Sequence, residues 1–558
     1  MNRAAGGKIR TMDDASLPDR FPDLLSRFRS DRDCLLRLFP GPHSEARADR
    51  HRRFLEEWRG ELARTRGNGP LSRADRFDAF MFGALLDEEE REREREARRF
   101  ESAAPLLPHP DELIALDERR RRFEPVDAPG AAALLERAAK RIAELRAELE
   151  GDESKAAVAV PAARIATEVG DRLAGWYAFY HEYDPVFDWW VETPYRALEE
   201  ALKEYAVFLR ENVAGAVGDA VVGEPLGRDA LIAELRHAQV PYDPEKLIAA
   251  GRGEMAWCES EMRRAAAEMG LGDDWRAALD RVKSLHLAPG GQPALVRDLA
   301  YEAIAYVEEN DLVTVPPLAR ECWRMEMMSA ERQKVSPFFL GGETIIVSFP
   351  TAAMDHERKR MSLRGNNPAF ARATVHHELI PGHHLQMFSM ERNRPYRRLF
   401  WTPFWIEGWT LHWEMLLWER GFGRTPEERM GMLFWRMHRG ARVVFSLEYH
   451  LGERTAAQCI DLLVDEAGHE RDNAVAEVRR SLEGNYGPLY QAAYLLGGWQ
   501  MHALYRGLVT EGGVMTDREF HDTVMRENIM PVPTLRALLT GADAPAPGES
   551  LPEWRFLA

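Results

Sequence analysis

Four of the 17 histidines of the chain fall within nine residues of an otherwise apolar stretch, TVHHELIPGHHLQ (residues 374–386), around a single glutamate. The histidines are His376, His377, His383 and His384, and the glutamate is Glu378. Imidazole nitrogens and carboxylate oxygens are ligands that zinc and related transition metals take in proteins. The stretch therefore predicts a transition-metal site. Hydrogen-bonded histidines in a buried helix are the structural alternative.

The spacing departs from His-Glu-x-x-His, in which both histidines lie on one helical face. Four residues after His377 comes Pro381, which cannot bind a metal. The second ligand must then be His383 or His384. In an unbroken helix, seven residues advance about 700°, which returns His384 to the face of His377. Because Pro381 and Gly382 interrupt the helix, a local reset could bring His383 forward instead. Helical geometry leaves this choice open.

A catalytic zinc takes three protein ligands and keeps one position for water. The third ligand is expected on a later helix, where WIEGWTLHWE (residues 405–414) offers Glu407 and Glu414, seven residues apart and so on one face. One could bind the metal while the other supports a ligand. Glu378, adjacent to His377, is placed to act as a general base toward metal-bound water.

The elements that position these residues are predicted to be helices. Apolar residues recur at helical spacing through most of the chain, and strand composition is confined to Leu312–Val315 and Thr344–Phe349. We expect a mainly α fold, a large helical body with a small β-sheet beside the metal-binding helix. The expected regions are an N-terminal helical region with a disordered start, a region carrying the metal site, and a tail. Their bounds are 1–160, 161–545 and 546–558, with the first two packed as one body.

Composition limits the partners and the compartment. The net charge of −17 argues against nucleic acid or an anionic membrane as the main partner. The four cysteines are scattered, as is usual for reduced thiols in a cytosolic protein. The first residues lack the apolar core of a signal peptide, and no apolar run approaches the about 20 residues of a membrane span. We therefore expect a cytoplasmic protein.

The motifs HHELIPGHHLQ and WIEGWTLHWE together resemble the bacterial family catalogued as domain of unknown function 885. Its members carry His-Glu-x-x-Pro-Gly-His followed by Glu-Gly-Trp and are related to zinc metallopeptidases of the gluzincin kind. The resemblance covers residues 220–541, while the N-terminal third is similar only as generic helix. It implies a zincin-like body around the metal site.

The resemblance also implies roles for individual residues. The recurrent histidine of the family directly follows Pro-Gly, and the glutamate of Glu-Gly-Trp binds zinc in aminopeptidase N-like gluzincins. The implied ligands are His377, His383 and Glu407. Glu378 is then the general base. Gluzincins also place a Tyr or a His to stabilise the oxyanion, for which Tyr494 and His450 are the candidates by position.

Other features bear on the substrate. The segment Thr344–Phe349 resembles the edge strand on which such enzymes lay an extended peptide. Three positions depart from the family pattern: Ser446 stands where many members have Asp, Leu489 where they have Gly, and Tyr490 where they have Gln. Because these residues are expected near the substrate, the choice of substrate should not be copied from the family.

These observations predict a zinc-dependent hydrolase of amide or peptide bonds in short peptides, with metal-bound water as the nucleophile. One Zn²⁺ per chain is expected, and a His₂-Glu set also accepts Mn²⁺ or Fe²⁺. A metalloenzyme acting on a non-peptide small molecule is the first alternative, suggested by the departures from the family pattern. A non-catalytic metal-binding scaffold is the second.

Overall fold

The computed structural model of the protein describes residues 19–217, 220–333, 341–483 and 486–557. As the sequence predicts, the fold in these residues is mainly α. The described chain divides into two compact units between Gly223 and Glu224. The predicted boundary at 160/161 falls instead inside a continuous helix, Ala156–Tyr180. The disorder predicted for the first fifteen residues lies outside the described part of the chain.

The first unit is an assembly of helices. Their bounds are α1 Phe21–Leu38, α2 Glu45–Gly67, α3 Arg73–Ala103, α4 Pro110–Arg121, α5 Ala128–Leu149, α6 Ala156–Tyr180 and α7 Pro185–Phe208, with short 3-10 helices at Ala104–Leu106 and Glu153–Lys155 and a π-helical turn at Leu209–Val213. One apolar core runs without interruption from Ala103 to Val213. Because α6 and α7 bury their apolar faces in this core with α5, the first unit extends past residue 160.

The second unit contains the histidine-rich motif. Its helices are α8 Arg228–His237, α9 Pro244–Glu268, α10 Trp275–Ser284, α11 Gln292–Glu309, α12 Pro317–Cys322, α13 Ala330–Gln333, α14 His356–Gly365, α15 Pro368–Glu378, α16 His383–Met390, α17 Pro403–Glu419, α18 Pro426–His450, α19 Ala456–Asp465, α20 Arg471–Leu482, α21 Tyr490–Tyr505, α22 Asp517–Glu527 and α23 Val532–Leu539, with a 3-10 helix at Pro395–Phe400 and a π-helical turn at Arg506–Thr510. In the described residues, no helix has both the length and the hydropathy to cross a bilayer.

The helices that hold the motif have well-defined starts and close contacts. Asn367, Thr402 and Thr425 each precede a proline and accept a hydrogen bond from a backbone N–H at the start of α15, α17 and α18. A Cβ on Gly408 of α17 would overlap the backbone of Gly497 in α21. These two helices therefore meet backbone to backbone, which only glycine permits.

The sheet consists of two parallel strands, β1 Arg324–Met327 and β2 Thr344–Val347. Ile345 and Val347 of β2 share a small apolar core with Val375 and Leu379, which flank the motif histidines. The predicted sheet beside the motif helix is thus present, and β2 lies within the predicted segment Thr344–Phe349.

The strand predicted at Leu312–Val315 is wrong: the segment is an irregular connection. Two of its polar backbone groups pair with side chains rather than with a neighbouring strand. The Leu312 carbonyl accepts from Nδ1 of His521 at 2.8 Å, and the Thr314 N–H donates to Asp522 at 3.0 Å. The apolar composition that suggested a strand reflects the burial of Leu312 and Val313.

Four buried histidines outside residues 374–386 predict that acid destabilises the fold. Burial lowers the pKa of all four, to about 3 for His469 and about 4 for His521, and well below the ordinary value for His412 and His438. Below pH 6.5 the unfolded chain therefore binds protons that the folded chain does not. As the pH is lowered, the free energy of unfolding decreases by up to about 1.4 kcal/mol per pH unit for each histidine.

We expect the urea midpoint to drop steeply between pH 6.5 and 5, as followed by circular dichroism. The variant His438→Gln should show a shallower dependence, by about one proton. A midpoint that stays constant over this range would contradict the prediction.

Candidate metal centre

A fixed break between α15 and α16 divides the histidine motif over two helices. The Gly382 N–H donates to the carbonyl of His376 at 3.0 Å, and a Cβ on Gly382 would overlap the carbonyl of His377. On the other side, Trp409 of α17 donates its indole N–H to the Pro381 carbonyl at 2.9 Å. The turn is held from both directions, and it sets the phase of α16 relative to α15.

The three residues predicted as metal ligands converge across this break. One nitrogen of His377, one nitrogen of His383 and one carboxylate oxygen of Glu407 all lie within 4.8 Å of one another. Oε2 of Glu407 is 3.3 Å from Nε2 of His383 and 3.8 Å from Nε2 of His377. All three side chains are buried. We call this set the His-His-Glu cluster.

Glu414 fixes the orientation of His377. Its Oε1 lies 2.7 Å from Nδ1 of His377 and accepts from Nη2 of Arg439 at 3.2 Å. Although burial opposes ionisation, Arg439 and His377 lower the pKa of Glu414 to about 2. Because an ionised carboxylate only accepts, Nδ1 of His377 carries the proton. Its Nε2 therefore presents a lone pair to the cluster.

Gln386 fixes His383 in the same way. Its Nε2 donates to the carbonyl of Ile406 at 3.2 Å, which directs the amide oxygen toward His383. That oxygen lies 3.2 Å from Nδ1 of His383. Since an amide oxygen can only accept, Nδ1 of His383 is the donor, which leaves Nε2 to face the cluster.

The cluster thus brings three potential metal-ligand atoms together. Oε1 of Glu407 accepts from the hydroxyl of Tyr490 at 2.8 Å, whereas the buried Oε2 faces Nε2 of His383 at 3.3 Å. Although burial opposes a charge on His383, Glu407 raises its pKa to about 9. The site therefore attracts positive charge, and its donor set fits a divalent cation held by two histidines and a carboxylate.

The other two histidines of the motif face elsewhere. Nε2 of His384 lies 2.9 Å from the carbonyl of Ala319. The ring of His376 packs edge-on against Phe422, and burial lowers its pKa to about 3. Helical geometry left the choice between His383 and His384 open. The structure brings His383 and not His384 to the cluster, because the break shifts the phase of α16.

Glu378 is the last residue of α15 and lies beside the cluster. A Cβ on Gly341 would overlap its carboxylate, so the chain just before β2 passes directly over this side chain. Burial raises the pKa of Glu378, and the nearby charge of Glu407 adds to this, while His377 and His383 act in the opposite direction. A carboxylate with a raised pKa is a better proton acceptor at neutral pH.

Tyr494 lies at the cluster. Its ring is nearly parallel to that of His377, with centroids 6.4 Å apart and an angle of 11°. Its hydroxyl oxygen accepts from Nη2 of Arg480 at 3.4 Å. Burial and the charge of Glu407 raise the pKa of Tyr494 to about 12, against the effect of the neighbouring arginines. Tyr494 is therefore a neutral hydroxyl.

The structure does not bring His450 to the cluster. It is the last residue of α18, eight residues or about 12 Å along the axis beyond Arg442. In the described part of the chain, no hydrogen bond, ion pair or ring contact joins it to the three cluster residues. Burial lowers the pKa of His450 to about 4.

Sequence reasoning missed three contributors to the site. Gln386 lies three residues after His383, so helical spacing could have indicated it. Tyr490 was noted only as a departure from the family pattern, yet it contacts Glu407 directly. Arg439 belongs to α18 and meets Glu414 only through the packing of that helix, which carries no signal in the local sequence.

The contact between Glu414 and His377 is expected to contribute to the zinc affinity of the cluster. Replacing Glu414 with glutamine should weaken zinc binding by about 10- to 100-fold, because a neutral amide holds the His377 tautomer less firmly. Competition with a chelating dye measures the affinity. Glu419→Gln is the matched control, since Glu419 ends the same helix, is half exposed and pairs with His502. An unchanged affinity in the Glu414 variant would show that this contact does not support the site.

The structure is a mainly helical fold with a buried His-His-Glu cluster, to which α15, α16 and α17 each contribute one residue. The chain belongs to the family described as bacterial protein of unknown function (DUF885), which it matches over residues 40–539. The match extends much further toward the N terminus than the motifs alone indicated.

Two solved structures share the fold at low sequence identity. One, described as a "putative lipoprotein of unknown function" from Shewanella oneidensis, is 17% identical with a TM-score of 0.67, and the match covers 94% of this chain and 100% of that one. Another, described as a "putative lipoprotein" from Colwellia psychrerythraea, is 16% identical with a TM-score of 0.50, and the match covers 74% and 70% of the two chains. No curated protein matches the chain.

Proposed function

We propose that this protein is a zinc-dependent hydrolase of amide bonds that acts on short peptides. The observation that carries the proposal is the convergence of three buried ligand atoms, from His377, His383 and Glu407, beside a carboxyl with a raised pKa. The resemblance of the motif to gluzincin peptidases also supports zinc-dependent hydrolysis. His377, His383 and Glu407 would hold the metal.

A bound zinc ion would supply Lewis-acid activation of water and of the scissile carbonyl. Glu378 would take the proton from the attacking water and deliver it to the leaving amine. The raised pKa of Glu378 suits both steps, because it brings the proton affinity of the carboxylate closer to neutral pH.

Tyr494 would stabilise the oxyanion. Its oxygen accepts from Arg480, so its own hydrogen remains available to donate toward the cluster. Tyr490 has a different role. By donating to Oε1 of Glu407, it holds the carboxylate so that Oε2 faces the two histidines that would help to hold the metal.

The sheet supplies a place for the substrate backbone. Gly341 lies against Glu378, and β2 begins three residues later. A peptide that pairs with β2 would therefore run past the proposed base, as in recognition by strand addition.

A peptide-library digest tests the proposal. Protein loaded with one zinc per chain is incubated with the library, and the products are identified by mass spectrometry. We expect cleavage that disappears on chelation and returns when zinc is restored. A protein that holds one zinc and cleaves no member of the library would contradict peptide hydrolysis.

A second candidate is a metalloenzyme that acts on a non-peptide small molecule. The contact of Tyr490 with Glu407 favours it, because this aromatic ring replaces the glutamine of the family pattern at the cluster itself. Turnover of such a compound by a zinc-loaded protein that is inert toward the library would support it.

A further inference from the structure

Three arginines contact Tyr494, two of them over its ring and Arg480 at its hydroxyl, and they share two carboxylates. Arg439 pairs with Glu414 at 3.2 Å, and Arg442 pairs with Glu477 at 2.6 Å. Arg480 comes no closer than 4.0 Å to Glu477, the carboxylate with which it forms an ion pair. Since Glu477 is already engaged with Arg442, Arg480 has no carboxylate to itself among the described residues.

The charge of Arg480 is also largely removed from water. Its side chain is 13% exposed, against 4% for Arg442 and 1% for Glu477. Nε of Arg480 and Nη1 of Arg442 are buried and have no hydrogen-bond partner among the described residues. A buried cation with unused N–H groups is costly unless an anion compensates it.

Arg480 stands one aromatic ring away from the cluster. Its Nη2 donates to the hydroxyl of Tyr494, and its guanidinium lies 5.2 Å from the ring centre of Tyr486. The Tyr486 ring in turn packs against Tyr490, with centroids 4.3 Å apart. Tyr490 contacts Glu407. Arg480 thus borders the same space as the proposed reaction centre.

This side of the cluster reaches the surface. Tyr486 is 39% exposed, and Trp401, which stacks on Tyr490 at 6.2 Å, is 54% exposed. A small substrate that enters along these rings would contact Arg480 and Tyr494 on its way to the cluster.

We infer that Arg480 binds a carboxylate of the substrate, and specifically the free C-terminal carboxylate of a peptide. A guanidinium offers paired N–H donors that match a carboxylate, and binding would compensate the unmatched charge. The enzyme would then remove the last residue of a peptide rather than cut internally. Removal of the last residue rests on the proposed hydrolase function. Binding of a carboxylate by Arg480 does not depend on that function.

Calorimetric titration of a product-like ligand tests the site without turnover. N-acetylphenylalanine carries the free carboxylate, and its amide lacks it. In the metal-free protein we expect the acid to bind at least about 10-fold more tightly than the amide. Arg480→Gln should abolish this preference. Arg480→Lys, which keeps the charge but not the paired donors, should retain part of it.

Arg479→Gln is the matched control, because Arg479 precedes Arg480 on α20, is 25% exposed and faces Glu483. It should keep the preference of the wild type. Because Arg480→Gln removes an unmatched buried charge, its melting temperature should equal or exceed that of the wild type. A preference that survives in Arg480→Gln would overturn the inference.

One further ligand and one further condition separate the sources of carboxylate. N-acetylglutamic acid α-amide has only a side-chain carboxylate, and binding equal to that of N-acetylphenylalanine would overturn the C-terminal assignment. A preference that arises only after zinc loading and persists in Arg480→Gln would place the carboxylate on the metal and overturn the inference as well. Failure of peptide cleavage would leave these binding results unaffected.

Discussion

Replacing Glu378 with glutamine is expected to reduce peptide hydrolysis by about 10²- to 10⁴-fold while one zinc per chain stays bound. Glutamine has nearly the same shape but cannot accept the proton of the attacking water. Glu378 is not one of the three converging residues, so its replacement leaves the metal-binding set intact. The measurements are kcat/KM on a cleaved peptide and zinc content by elemental analysis.

Glu391→Gln provides the control for this variant. Glu391 follows α16, its side chain is 48% exposed, and it pairs only loosely with Arg398 at 3.6 Å. The same chemical change at this position should leave both kcat/KM and zinc content as in the wild type. Full activity in Glu378→Gln would exclude Glu378 as the base, and loss of zinc would assign it a role in metal binding.

The second large effect is expected from the two adjacent histidines that follow the break. His383→Ala should weaken zinc binding by more than about 100-fold. This loss exceeds the one expected for Glu414→Gln, because Glu414 only supports a ligand. His384→Ala should bind zinc as the wild type does, because Nε2 of His384 faces the carbonyl of Ala319 instead of the cluster. Chelator competition at neutral pH measures both affinities.

The pair of variants is its own control, since each removes one imidazole from the same turn of α16. Normal zinc affinity in His383→Ala, or its loss in His384→Ala alone, would contradict the arrangement of the cluster. Circular dichroism should show that both variants keep the helical content of the wild type.

Much of the fold could be predicted because the signals are local. Helical spacing of apolar residues predicts the mainly α body, and the β-branched run at Thr344–Val347 predicts β2. The same reasoning failed at Leu312–Val315, where side chains of α22 satisfy the backbone. It also missed the four-residue strand β1, whose sequence RMEM has no strand composition.

The sequence by itself determined the chemistry of the candidate site: which residues can bind a metal, that Pro381 interrupts the motif, and that a carboxylate must come from a later helix. Only the tertiary structure decided which atoms meet. Packing of α17 against α21 across Gly408 and Gly497, with Tyr490 at the start of α21, brings Tyr490 to Glu407. The positions of Arg480 near the cluster and of His450 away from it depend equally on helix packing. Local periodicity reports one helix at a time, whereas these contacts join helices far apart in the chain.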